Sequence, residues 1–202
     1  MDKAKYSNKS EINYFSSAYK GNPPWDIGQS QPVFKHLAKS LPSQSKVLDV
    51  GCGTGENILF FAKMGFDSTG IDFTREAIYK AINKAKERNL NAKFYVMDVL
   101  ELGRLNQKFN FIIDSGLFHT LSDSERPLFK HSLSKVMITK GIYYMLCFSD
   151  REHSRFGPRR ISKEEIYDTF SGDWKVISIE PEYFESNFGR AKAWLAQIQY
   201  IG

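Results

Sequence analysis

A chain of 202 residues has room for one domain with its own core, since single domains commonly run to about 100–200 residues. With 42% hydrophobic and 14% aromatic residues it is far from the composition of a disordered segment. No apolar run approaches the roughly 18 uncharged residues of a membrane span, and Met1 to Tyr6 lead into no signal-peptide core, so a cytoplasmic protein is expected. The formal charge of +5 permits a nucleic-acid partner without requiring one. Its densest part is segment 151–163, with Arg151, Arg155, Arg159, Arg160 and Lys163.

Residues 1–30 are polar, with a Pro23-Pro24-Trp25 turn, and read as a short helix and lid outside the main fold, which then occupies 31–202. Tyr14, Phe15, Trp25 and Ile27 give that lid something to bury. Lys46 to Val50 is a hydrophobic strand, Gly51 to Gly55 a tight turn, and Glu56 to Met64 a helix. A second strand at Asp67 to Ile71 runs into Asp72-Phe73-Thr74. There Thr74 is placed as an N-cap ahead of the apolar stripe Ala77, Ile78, Ala81, Ile82 and Ala85. Strands follow at Lys93 to Met97 and Phe109 to Asp114, and Ser122 or Asp123 caps a helix to Val136. Ile142 to Phe148 reads as a fully buried strand. Ser162 to Glu165 has capping-box spacing for a helix to Phe170, and strands at Trp174 to Glu180 and Ala191 to Tyr200 close the chain. The expected fold is α/β: a Rossmann-like, mostly parallel seven-stranded sheet with an antiparallel last strand, helices on both faces and a helical lid. Cys52 and Cys147 are expected as free thiols, and no structural metal is expected.

In an open α/β sheet, ligands lie off the carboxyl ends of the strands, so the turn Asp49-Val50-Gly51-Cys52-Gly53-Thr54-Gly55 is the place for a nucleotide-like group. A dinucleotide fingerprint needs G-x-G-x-x-G; here the third glycine comes one residue early, and Glu56 at the helix start would repel a pyrophosphate. No P-loop lysine is present. S-adenosylmethionine carries no phosphate and is cationic at its sulfonium and ammonium, so an acidic glycine turn suits it. Asp72, 17 residues after Gly55, is placed to take both ribose hydroxyls, with Phe73 beside it. Asp98 and the backbone of Val99 are placed at the adenine, and Asp114 beside the methionine end. Any one of these acids alone reads better as turn or cap chemistry; four at successive strand ends favour a cofactor.

On these residues the chain resembles the class I S-adenosylmethionine-dependent methyltransferases over nearly its whole length. The resemblance assigns Asp49, Gly51 and Gly53 to the methionine end, Asp72 to the ribose and Asp98 to the adenine, with Cys52 of the same turn also expected among the cofactor-binding residues. The chain is most similar to small bacterial methyltransferases related to thiopurine, thiol and halide methyltransferases and to those acting on heterocyclic toxins. The carriers are Pro24-Trp25-Asp26-Ile27-Gly28-Gln29, Asp114-Ser115-Gly116-Leu117-Phe118-His119, Cys147-Phe148-Ser149-Asp150-Arg151 and Gly157-Pro158-Arg159-Arg160.

The resemblance implies methyl transfer from S-adenosylmethionine, leaving S-adenosylhomocysteine, to the S, N or O of a small thiol or heteroaromatic acceptor by in-line displacement, in a monomer or homodimer. His119 is the candidate base; packing or hydrogen bonding within its own loop is the equally weighted alternative. Trp25 is expected to close over the cofactor cation. Asp150, Arg151, Arg159 and Arg160 are expected to face the acceptor, while Arg155 and Lys163 are expected on a solvated face. The rival reading is an RNA methyltransferase that uses segment 151–163 as its groove. Against it, Asp114-Ser115-Gly116-Leu117 stands where an exocyclic-amine methyltransferase carries Asn/Asp-Pro-Pro-Tyr/Phe.

Overall fold

A computed structural model describes residues 9–154 and 157–202. Its elements in chain order are α1 (Lys9–Ala18), α2 (Pro32–Ser40), β1 (Lys46–Val50), α3 (Glu56–Lys63), β2 (Asp67–Asp72), α4 (Arg75–Glu87), β3 (Ala92–Val96), β4 (Phe109–Ser115), α5 (Glu125–Val136), β5 (Met137–Phe148), α6 (Lys163–Thr169), β6 (Trp174–Ser186) and β7 (Gly189–Tyr200). The sheet runs β3-β2-β1-β4-β5-β7-β6, and β7 is its one antiparallel strand. Chain order reverses direction across the sheet between β1 and β4, which opens the crevice where such sheets bind ligands.

Strand periodicity divides the core in two. Leu48, Val50 and Ile112 pack with Phe129 and Leu133 of α5 and Ile166 of α6. Their neighbours Val47 and Ile113 pack with Phe34 of α2 and Ile58 and Phe61 of α3. Alternate residues of one strand therefore hold helices on opposite faces of the sheet. No helix among the described residues is long and apolar enough to cross a membrane.

The differences from expectation have local causes. α2 was not foreseen, although Pro32 sits in its first turn and Phe34 and Ala38 are buried at helical spacing. β5 begins at Met137 rather than Ile142, because a register shift with Lys140 at φ +66° interrupts the apolar run. β6 continues past Glu180 because Pro181 lies on the sheet's edge strand, where a missing N–H costs no ladder bond. Thr74 stands at the N-cap of α4, but its hydroxyl donates to Asp72 instead of capping. Helix α5 starts at Glu125, after both residues proposed as its cap. Cys52 and Cys147 are both buried free thiols.

The capping box of α6 is complete: Ser162 Oγ accepts from Glu165 N–H at 3.1 Å, and Glu165 accepts from Ser162 N–H at 2.8 Å. Ser162→Ala is expected to cost about 1 kcal/mol, read as a lower urea midpoint at unchanged m-value.

Candidate cofactor and acceptor site

The glycine turn is held by its neighbour strand. Cys52 N–H donates to the Ile71 carbonyl at 2.8 Å and Gly53 N–H to Asp72 Oδ2 at 3.0 Å. Asp72 Oδ1 takes the N–H and hydroxyl of Thr74 at 2.8 and 2.6 Å. Gly53 has φ +54°, and a Cβ there would lie 2.7 Å from the Tyr19 hydroxyl, so backbone conformation and close approach both demand glycine.

Asp49, Asp72 and Asp114 end three adjacent parallel strands and are all buried. Asp114 accepts from Leu117 N–H at 2.7 Å, Phe118 N–H at 3.1 Å and the Tyr143 hydroxyl at 2.7 Å; burial pushes its pKa up to about 7. It thus organises the loop after β4. Neither oxygen of Asp49 has a hydrogen-bond partner among the described residues. Burial, then the charges of Asp114 and Asp72, push its carboxyl well above the usual range. Such a group accepts a cationic ligand readily, and the ammonium of S-adenosylmethionine supplies both the charge and the N–H donors it lacks. Glu56, by contrast, is neutralised by Lys84 at 2.8 Å and by two bonds from Arg88. The electronegative character of the site therefore comes from the strand ends rather than the helix start. Asp98 caps the 3₁₀ segment Val99–Leu105, accepting from Leu100 N–H at 2.9 Å, with Val99 buried beside it.

The lid lies over this turn. Trp25 Nε1 donates to the Tyr19 hydroxyl at 2.9 Å, and Phe15 of α1 meets the rings of Trp25 and Phe73 edge-on. Asp26 accepts from Thr54 Oγ1 at 2.9 Å, and Thr54 in turn accepts from Lys84 at 2.7 Å. Asn57 Oδ1 takes Ser30 Oγ and Gln31 N–H, while the Gln31 amide exchanges two bonds with the backbone of Glu185. The space left between lid and turn is a cavity of about 50 Å³ lined by Trp25, Asp26, Gly51, Gly53, Ser115 and Phe184, well below the roughly 300 Å³ of small-ligand pockets. The lid stands closed on the turn. Tyr19, Thr54, Gln31, Asn57 and Phe184 were not foreseen; the aromatic pair Tyr14 and Phe15 on α1, with Tyr19 just after it, was the one local signal.

In the loop after β4 His119 is buried with its ring edge-on to Phe148 at 5.0 Å and tilted to Phe184 at 6.1 Å. Its Nδ1 lies 3.1 Å from the backbone N–H of Phe148. A backbone N–H only donates, so Nδ1 is the acceptor and the neutral ring carries its proton on Nε2. Burial, then the nearby Arg160 charge, lowers its pKa to about 3. This geometry favours the hydrogen-bonding alternative over the general base. The arginine cluster is also redistributed. Arg151 stacks on Trp194 at 4.4 Å and donates to the Ala193 carbonyl, while Asp150 accepts from Trp194 Nε1. Arg159 pairs with Asp123 and Glu165. Lys163 lies over Trp194 rather than on a solvated face. Arg160 alone of the four expected residues meets the aromatic wall of His119, its guanidinium 5.4 Å from the Phe148 ring. Arg155 lies outside the described residues.

Sheet order, acidic strand ends and a lidded glycine turn define an open α/β enzyme for a cationic nucleoside cofactor. Residues 41–180 match a family model described as a methyltransferase domain, and the chain belongs to that family as a class I S-adenosylmethionine-dependent methyltransferase. It is 32% identical over 184 residues to the 2-heptyl-1-hydroxyquinolin-4(1H)-one methyltransferase of Mycobacteroides abscessus, covering 86% of this chain and 81% of the relative. To thiocyanate methyltransferase 1 of Brassica oleracea it is 26% identical, covering 90% and 81%. A solved structure from work on the conversion of a disulfide bond into a thioacetal group during echinomycin biosynthesis superposes with a TM-score of 0.85 at 30% identity, covering 94% of this chain and 92% of that one.

The buried neutral histidine has a stability signature. Its pKa is held near 3 against about 6.5 unfolded, so its stabilising contribution is full above about pH 6.5 and is lost as pH falls toward 3. Asp114 acts in the opposite sense: raised to about 7, it costs stability as pH rises from about 4 to about 7. Urea unfolding of wild type and His119→Gln isolates the histidine. Their stability difference is expected to change by up to about 1.4 kcal/mol per pH unit between roughly pH 6 and 4; parallel curves contradict a neutral buried ring.

Proposed function

We propose that this enzyme methylates a small-molecule acceptor at the sulfur of a thiol or at the O or N of a heteroaromatic compound, choosing acceptors that ionise or react without a protein base. The observation that carries the reading is the His119 Nδ1 bond to Phe148 N–H, which leaves the ring its Nε2–H to donate. The other carboxylates beside the cavity, Asp26 and Glu56, are engaged by Thr54, Lys84 and Arg88. The relatives' acceptors fit the same chemistry: thiocyanate is an anion, and a 1-hydroxyquinolin-4-one is acidic at its N–OH.

When bound, S-adenosylmethionine supplies a methyl carbon activated by its sulfonium. Asp49 is proposed to hold the ammonium, and the Gly51 to Gly53 backbone with Cys52 the methionine chain. Asp72 and Phe73 are proposed at the ribose, and Asp98 and Val99 at the adenine. Trp25 and Tyr19 exclude water above them, and the lid must lift for the cofactor to enter. His119 donates from Nε2 toward the acceptor, and Arg160 with Phe148 offers a cationic, planar wall to an aromatic anion. The RNA reading loses support because Arg151, Arg159 and Lys163 are engaged within the fold.

Three measurements bear on this. The pH–rate profiles of thiophenol and an aliphatic thiol are expected to inflect at each thiol's own pKa; one shared inflection for all acceptors marks a protein base and overturns the reading. Label from methyl-labelled cofactor is expected in extractable product, with none in bulk RNA tested in parallel. Asp49→Asn is expected to weaken S-adenosylhomocysteine binding about 10- to 100-fold by calorimetry, the range for a lost charge-assisted hydrogen bond.

A further inference from the structure

Arg126 lies in the first turn of α5, away from the cofactor, yet its charge is among the most deeply buried in the chain, with 4% of its surface exposed. Its guanidinium lies over the Phe118 ring at 4.8 Å. One nitrogen, Nη1, bonds Glu165 Oε1 at 3.0 Å and lies 3.5 Å from Asp123 Oδ1. Nε and Nη2 have no hydrogen-bond partner among the described residues. A buried guanidinium held by one nitrogen and an aromatic face is costly to displace, because moving it strands a charge in the core.

The two structures it touches are the two loops of the acceptor side. Phe118, fully buried, opens the 3₁₀ turn Phe118–Thr120 that contains His119. Glu165 divides its oxygens: Oε1 receives Arg126 and Arg159, while Oε2 receives the N–H of Ser162. Ser162 follows Ile161, whose N–H and carbonyl bond Phe148 and Asp150 across the loop after β5, next to Arg160. One side chain therefore grips the His119 turn through an aromatic face and the Arg160 loop through a shared carboxylate. Asp123 and Arg159 complete a ring of two cations and two carboxylates on the outside of this grip.

We infer that Arg126 is a positioning residue that sets the distance between the His119 turn and the Arg160 loop, and so the fit of the acceptor, while touching neither acceptor nor cofactor. This rests on the reading that the space around His119 receives the acceptor. It adds that acceptor fit is controlled from behind the site by one ion pair.

The test combines amide hydrogen exchange with kinetics on the full chain. Arg126→Gln keeps the reach of the side chain without its charge. It is expected to speed exchange at 116–120 and 157–162 together, leaving 51–56 unchanged. With thiophenol as acceptor, kcat/KM is expected to fall about tenfold, with S-adenosylhomocysteine affinity unchanged; Arg126→Lys, which keeps the charge but not the flat stacking fork, should recover part of the loss. Arg159→Met, at the exposed end of the ring, is expected to loosen 157–162 alone, and it and Arg126→Lys decide the matter if Arg126→Gln does not fold. Unchanged exchange in either loop, or a parallel loss of cofactor affinity, overturns the inference. A wild-type enzyme that ignores thiophenol counts against the proposed acceptor chemistry instead, and the exchange result still decides the role of Arg126.

Discussion

Parallel strands deliver their carboxyl ends to the same edge, and in this chain three neighbouring ends carry aspartates that water cannot reach. Like charges so placed repel one another and resent burial, so each must be quenched by something nearby. Asp72 is quenched by the glycine turn it pins, and Asp114 by two loop N–H groups and the Tyr143 hydroxyl. Asp49 has no hydrogen-bond partner of this kind among the described residues. The shape of the turn, the course of the loop after β4 and the site's appetite for a cation all follow from how this crowding is relieved.

The remainder of the site sorts into two halves with different physics. The half at the strand ends carries the buried carboxyl groups, is glycine-lined and is covered by Phe15, Tyr19 and Trp25. The half around His119 is apolar, built from Phe148, Phe184 and a neutral imidazole, with cationic charge at its margin. An apolar wall of this kind lowers the local dielectric, and the guanidinium at its edge is the nearest charge able to offset the desolvation of an anion there.

Much of this was legible wherever the information was local. The β1 strand, the glycine turn, the α4 stripe and the α6 capping box are each written within about a dozen consecutive residues, where helix and strand periods and turn chemistry act. The acids at the strand ends were legible for the same reason, since strand and turn lengths place them. What the sequence hid is long-range. Gln31 reads as an ordinary polar residue until it meets Glu185, 154 positions away. The arginine run looked like a free basic surface because nothing adjacent announces Trp194, Asp123 or Glu165 as partners. The sequence puts His119 in the loop after β4, but its proton inventory depends on the Phe148 amide, which no local pattern reveals.

The anchoring of the lid carries one more consequence. Residues near the amino end, Pro23 to Gln31, are fastened to Glu185 and Asn187 at the tip of the β6–β7 hairpin, and β7 itself slots between two strands made before it. During synthesis, the glycine turn and all four acids emerge from the ribosome, with the Thr54 and Asn57 anchors of their cover, well before the hairpin that holds its other side. Until that hairpin is made, the contacts of Gln31 with Glu185 and of Pro24 and Asp26 with Asn187 cannot form. A chain truncated before the hairpin keeps every fingerprint residue and loses one of the two sets of anchors that hold their cover in place.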